Sequence, residues 1–174
     1  RRRACYGDIM LLVRTRTNLA IYERALSAAG IPFDAGSRGG LLGALEIRDM
    51  SALLEFFVTP LADLKLVHAL RSPLFACSDD DLLQLAARAE ASWWQRLQAL
   101  VAAGEGGPRL ARAVRLLDDW LVLADRLPAH DLLDRIFAQG EVISRYRLAA
   151  PVALRAGVEA NLRALLLLAL DLDG

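Results

Sequence analysis

The chain has 174 residues, 55% of them hydrophobic, and its 21 basic and 21 acidic side chains leave a formal net charge of zero. That length holds one domain, or one and a fraction. The apolar content excludes fibrous, collagen-like and disordered classes, which lack the buried surface to offset the entropy of ordering, and neutrality argues against a strongly electrostatic nucleic-acid binder taken whole.

The start, Arg1 to Asp8, is positive but has no apolar stretch of signal-peptide length behind it and no initiator Met, so the chain is expected to be a piece of a larger protein. Asp8-Ile9-Met10-Leu11-Leu12-Val13-Arg14 is an apolar run of strand length. Thr17 and Asn18 follow as possible caps of a helix through Ala29, ended by Gly30. Ile31-Pro32-Phe33-Asp34-Ala35 reads as a second extended piece. Residues 8 to 35 thus form a strand, helix, strand unit that needs further strands, because a lone parallel pair is marginal.

Gly36-Ser37-Arg38-Gly39-Gly40 is a loop by its glycines. It lacks the Gly-Lys-Ser/Thr ending that sets a lysine on nucleotide phosphates, and the single lysine of the chain, Lys65, falls on an expected helix. ATP hydrolysis by this piece alone is therefore not expected. The loop is either a plain turn or a point of close backbone approach to a ligand.

From there the pattern is helical. In residues 45–58, Ile47, Met50, Leu53, Leu54 and Phe57 share one face, opposite Glu46, Arg48, Asp49, Ser51 and Glu55. A shorter helix spans Leu64 to Leu70 and stops near Ser72-Pro73. Ser78 before Asp79-Asp80-Asp81 predicts a capped helix start, running to about Ala91. Trp93, Trp94, Leu97, Leu100 and Val101 continue a helical pattern to the glycines at 104–107. Leu110, Val114, Leu117, Leu121 and Ala124 mark a long helix ending before Pro128. Leu132, Leu133, Ile136 and Phe137 mark another, closed by Gly140, and Pro151 opens the last, with Val158, Leu162, Leu165, Leu166 and Ala169 as its stripe. The longest apolar candidate, Leu165 to Leu172, is broken by Asp171, so no membrane span is expected.

Few residues carry chemistry. Asp79, Asp80 and Asp81 suit capping better than a metal, whose oxygen ligands must converge from several positions. His68 and His130 lack partners at ligand or triad spacing, so both read as structural. Cys5 and Cys77 permit one disulfide, but reduced thiols in the cytoplasm are favoured. Trp93 and Trp94, being adjacent, point to different sides of a helix, one to the core and the other to a surface or partner, where it could stack on bases. Arg14-Thr15-Arg16-Thr17 follows a strand, where a sheet's carboxyl edge presents side chains to ligands. Two arginines and two hydroxyls there make either a phosphate-backbone grip or a set of solvated charges.

Several runs together resemble a known family. Residues 8–17, Glu23-Arg24-Ala25-Leu26 and Ala29-Gly30-Ile31-Pro32-Phe33 are similar to the second RecA-like domain of UvrD/Rep-type superfamily 1 DNA helicases, and within that group to the helicase subunits of RecB and AddA helicase-nucleases (exonuclease V beta-like). The likeness continues through Glu46-Ile47-Arg48-Asp49, Leu70-Arg71-Ser72-Pro73-Leu74-Phe75 and Ser78-Asp79-Asp80-Asp81-Leu82-Leu83, and resumes at Asn161-Leu162-Arg163-Ala164-Leu165-Leu166. The resemblance implies a mainly α chain with residues 1–40 as part of the RecA-like domain 2A and residues 41–174 as a helical 2B-like domain. It places Arg14, Thr15 and Arg16 at the single strand, with Arg38 of the glycine loop as a further DNA-binding candidate, and the Ser72 to Ser78 turn near duplex DNA. Leu41 and Leu42 stand where the family often has two aromatic residues. Ala76-Cys77-Ser78 stands where it has a glycine-bearing turn, which removes the closest backbone approach to a phosphate.

The implied activity is DNA handling within an ATP-dependent DNA helicase/exonuclease of repair and recombination, moving 3′ to 5′ and located in the cytoplasm. No cofactor is expected in this piece, while ATP and magnesium are expected in the intact parent. The implied partners are DNA and a helicase-nuclease partner subunit, with no membrane. The rival reading is a helical protein-interaction or autoinhibitory scaffold that makes no direct DNA contact.

Overall fold

The computed structural model describes residues 2–15, 18–33 and 41–173. Nine α-helices form among them: α1 (Leu19–Ala28), α2 (Leu45–Val58), α3 (Asp63–Arg71), α4 (Asp79–Ala86), α5 (Trp93–Ala102), α6 (Pro108–Ala124), α7 (Ala129–Gly140), α8 (Val142–Ala149) and α9 (Arg155–Asp173). The chain is mainly helical, as the sequence pattern implies. No strand forms among the described residues. Residues 9–13, expected as a strand, carry no regular secondary structure, and Ile9 has extended dihedrals of φ −108° and ψ 125°. An extended run with no neighbour to complete its hydrogen bonds is not a strand. Asp34 and Ala35 of the second expected strand lie outside the described residues.

The core is built by α2 to α9. Helix α2 packs along α3 and meets α9, which also lies against α7 and α8, while α5 joins α3, α4 and α6. On α2, Ile47, Met50, Leu53 and Phe57 of the apolar face read from the sequence are buried and Leu54 is half-buried, while Phe56, not read as part of that face, is fully buried. Glu46, assigned to the polar face, is buried as well. It is held there by Asn161, whose side-chain amide donates to Glu46 Oε1 at 2.7 Å, which offsets part of the cost of burying a carboxylate. Trp120 of α6 sits at the centre, fully buried, with its indole N–H donating to Gln139 Oε1 at 2.7 Å.

Helix boundaries follow local chemistry. Ser78 caps α4 by accepting from the Asp81 amide at 3.2 Å, while Asp81 Oδ2 accepts from the Ser78 amide at 2.8 Å. The first-turn aspartates therefore act on the helix itself. Helix α4 ends at Ala86 rather than near Ala91. Arg96 of α5 donates to the Ala86 and Glu90 carbonyls, and Ser92 caps α5 by accepting from the Gln95 amide, so residues 87–92 form a corner instead of a further turn.

Helix α8 is not anticipated by the sequence pattern. It arises because Glu141, with φ 54°, turns the chain in the left-handed region directly after α7. Gly140 closes α7 for a different reason. A Cβ there would meet Leu74 Cδ1 at 2.8 Å and the Trp120 ring at 3.3 Å, so a larger residue would require both side chains to shift.

Candidate functional site

Of the residues read from the sequence as DNA contacts, Arg14 and Thr15 are exposed at the end of the extended N-terminal run. Arg16 and Arg38 lie outside the described residues, as does Thr17. Ser72 and Ser78 bracket a tight turn between α3 and α4, and the turn uses both hydroxyls. Ser72 is buried, donates to the Ala69 carbonyl at 2.7 Å and accepts from the Leu74 amide at 3.3 Å. The half-buried Ser78 hydroxyl donates to Asp81 Oδ2 at 2.9 Å besides its cap. These serines shape the turn. The Arg14 edge and the turn are not joined by any hydrogen bond or ion pair among the described residues.

The turn is strained at one position. Ala76, in the stretch Ala76-Cys77-Ser78 where the resemblance implies a glycine-bearing turn, has φ 53°. Its amide donates to the Ser72 carbonyl at 2.8 Å, and the Cys77 amide donates to the Leu70 carbonyl at 2.9 Å, which fixes the reversal. Cys5 and Cys77 are both free. Burial pushes the Cys77 thiol up to about 12, helped by Asp81 and opposed by Arg109 and Arg112, so at neutral pH it is an unreactive thiol.

Helix α6 supplies the basic groups around this turn. Arg112 donates to the Leu74 carbonyl at 2.7 Å and to the Gly140 carbonyl at 3.0 Å, with its guanidinium 5.9 Å from the Phe75 ring centroid. It thereby clamps the turn to the α7–α8 corner. Burial lowers its proton affinity first, and the neighbouring charges of Arg145 and Arg115 add to that effect, with Glu141 opposing. Arg109 reaches Asp81 at 3.9 Å. These arginines carry no motif that singles them out in the sequence, although their spacing of three along one helix is visible there.

The remaining candidates are structural. His68 Nε2 lies 2.7 Å from Asp49 Oδ1, and the Tyr146 hydroxyl donates to Asp49 Oδ2 at 2.9 Å, so one carboxylate ties α2 to α3 and α8. Both tryptophans are half-buried. Trp94 meets Phe56 edge-on at 5.7 Å, and Trp93 lies under Arg96 with its amide donating to Asp63. Both rings thus pack in part against the bundle, whereas the sequence reading sends one to the core and the other to a surface or partner. Lys65 pairs with Glu55 at 2.7 Å. Among the described residues no group of three or more His, Cys, Asp or Glu side chains could hold a metal ion, and no helix is long and apolar enough to cross a membrane. An open groove of about 700 Å³ runs between α7, α8 and α9, lined by Phe137, Ile143, Leu148 and Leu166 among others.

Comparison with known proteins gives one consistent relationship. Over 144 residues the chain is 32% identical to the AddA protein of the ATP-dependent helicase/nuclease of Geobacillus thermodenitrificans, a match covering 78% of this chain and 12% of that protein. The same-named protein of Geobacillus kaustophilus is 31% identical over 144 residues, again 78% of this chain and 12% of the relative. That of Clostridium botulinum is 37% identical over 81 residues, 46% of this chain and 6% of the relative. No protein-family model matches the chain.

Proposed function

From the homology of this chain to part of the AddA proteins of ATP-dependent helicase/nucleases, we propose that it is the DNA-handling portion of a helicase/nuclease polypeptide of repair and recombination. The observation that carries this reading is the 32% identity sustained over 78% of the chain. Residues 1–40 are then a piece of domain 2A and residues 41–174 most of a helical domain 2B. The burial pattern supports that division: among the residues whose burial is described, the first buried one is Glu46. Arg14, Thr15, Arg16 and Arg38 hold the single strand by its phosphates, and the turn shaped by Ser72 and Ser78 faces the duplex. ATP and magnesium are held by other parts of the parent, which drives the 3′-to-5′ movement in the cytoplasm and works with a partner subunit. Lys65, paired with a glutamate on a helix, is not a phosphate lysine.

The test is fluorescence anisotropy of this chain against a labelled junction of duplex and 3′ single strand, titrated from low to physiological salt. Binding should fall steeply as counterions are restored. Arg14→Ala with Arg16→Ala should flatten the salt slope on single strands by about 1.4, from two lost contacts at about 0.7 each. An unchanged slope would remove that edge from the binding surface. A second reading, a helical protein-contact scaffold, is favoured by the exposure of Leu167, Leu170 and Leu172 on α9. Absence of DNA binding even at low salt would select it.

A further inference from the structure

The groove between α7, α8 and α9 carries opposite charge at its two ends. Helix α9 runs back along the other two helices. Near its start Glu159 pairs with Arg147 of α8 at 3.1 Å, and at its end Asp173 accepts from the Ala129 and His130 amides that open α7. Place along the groove therefore follows place along α9, which is about 28 Å long. We propose that this groove is the contact surface for a second copy of the chain, the two α9 helices running antiparallel about a two-fold axis. The inference stands whichever of the two readings above holds, because it needs no DNA contact.

The charged side chains of residues 129–173 sort by end. Where α7 begins and α9 finishes, Asp131, Asp134, Asp171 and Asp173 stand against Arg135, and Asp125 and Arg126 of the preceding link cancel. Around α8 and the first half of α9, Arg145, Arg147, Arg155 and Arg163 stand against Glu141 and Glu159. Pairing leaves that basic surplus in place: Glu141 takes Arg145 at 3.2 Å, and Glu159 is shared by Arg147 and Arg163. Glu46 and Asp49 of α2 are held inside the bundle by Asn161, His68 and Tyr146. Arg155 donates to the neutral Ala150 carbonyl at 3.2 Å and has no carboxylate partner among the described residues, where Asp134 likewise makes no side-chain hydrogen bond or ion pair. Both residues line the groove.

This charge pattern selects the occupant. A two-fold contact presents the same patch on both sides, so the patch must complement itself. An acidic end and a basic end do so when the copies run antiparallel, because each acidic end then meets the other copy's basic end, whereas a parallel arrangement sets like charges together. Asp134 of each copy then faces Arg155 of the other. Between the ends the groove is apolar, walled by Phe137, Ile143, Leu148 and Leu166. Leu148 is 77% exposed, and Leu170, four residues beyond Leu166 and so on the same flank of α9, is 51% exposed. Pairing removes these side chains from water, which supplies the attraction that the charged ends orient.

The test is sedimentation velocity of the chain over a concentration series at low salt, where a dimer should grow with concentration. Asp134→Arg and Arg155→Glu each set like charges at both symmetry-related contacts, so either variant should pair on the order of ten-fold more weakly than the unaltered chain. An equimolar mixture of the two variants brings opposite charges together again at both contacts and should pair as the unaltered chain does. A variant that merely misfolds is not rescued by mixing, so the rescue identifies a second copy as the occupant. Leu148→Gln with Leu170→Gln, both at exposed positions, should lower the dimer fraction at unchanged melting temperature. A chain that stays monomeric throughout, a dimer fraction indifferent to the leucine changes, or a mixture that pairs no better than its components overturns the proposal. Each of these outcomes leaves the DNA-handling reading intact.

Discussion

At Ala76 the chain adopts a conformation that its side chain opposes. An L-residue in the left-handed region carries a cost of about 1–2 kcal/mol from the clash of Cβ with the backbone, and Ala76 sits there with φ 53°. The methyl group is exposed, so it returns little packing energy. Glycine would remove the clash but adds about 0.5–1 kcal/mol of backbone entropy to be lost on folding. The clash outweighs the entropy. Ala76→Gly is therefore expected to stabilise the fold by about 0.5–1 kcal/mol, read as a higher urea midpoint at unchanged slope. A lower midpoint would mean that Cβ makes a contact that outweighs the strain. Cys77 next to it gives the turn a pH dependence of known sign. Its folded value of about 12 lies above the ordinary 9.0, so the stability it contributes is complete below pH 9 and fades as pH rises towards 12.

Among elements, the join of α2, α3 and α8 rests on a single carboxylate. Asp49 pairs with His68 at 2.7 Å and accepts from the buried Tyr146 hydroxyl at 2.9 Å. Burial raises the Tyr146 phenol well above its usual value, and the negative charge of Asp49 adds to that effect. Asp49→Ala should cost about 1–3 kcal/mol, the range for leaving a buried polar group short of a partner. Asp49→Asn, which keeps an acceptor for the tyrosine, should cost less, and equal losses in urea denaturation would show that charge alone matters. This join also shows what a sequence can and cannot display. Periodicity places Asp49 on the polar face of α2, but its partner lies 97 positions away, a distance no local pattern spans. The capping box at Ser78 and the stripe of α9 are legible because their physics is local. Helix α8 is not, since it has only eight residues and begins at a left-handed Glu141 that resets the phase of the repeat. The N-terminal strand fails for the opposite reason: its apolar run is strand-like, but pairing depends on neighbours the pattern does not contain. The arginine clamp escapes notice because a basic side chain that seeks carbonyls looks, in sequence, like one that seeks water.

For the whole molecule, the distribution of burial makes a separable prediction. The packed cluster runs from Ile47 to Ala169, whereas Ile9, Met10, Leu11 and Leu12 are 71%, 81%, 59% and 84% exposed. Folding free energy scales with apolar surface removed from water, so the described residues 2–33 contribute little to it. Deleting residues 1–40 should shift the melting temperature by no more than about 2 °C, the scale of a surface change worth about 0.5 kcal/mol. A larger drop would mean that the N-terminal unit packs on the bundle in solution. The same deletion should have a second effect. Four consecutive exposed apolar residues outside any helix are a ready template for pairing with another chain. Light scattering against concentration should therefore show the shortened chain associating less than the full one. If both chains scatter alike, self-association lies instead with the exposed leucines at the end of α9, and replacing Leu170 and Leu172 with glutamine should abolish it. The two surfaces are thus separable by experiment. The bundle holds its own core either way, so changes in the N-terminal run and at the end of α9 can be compared without unfolding it.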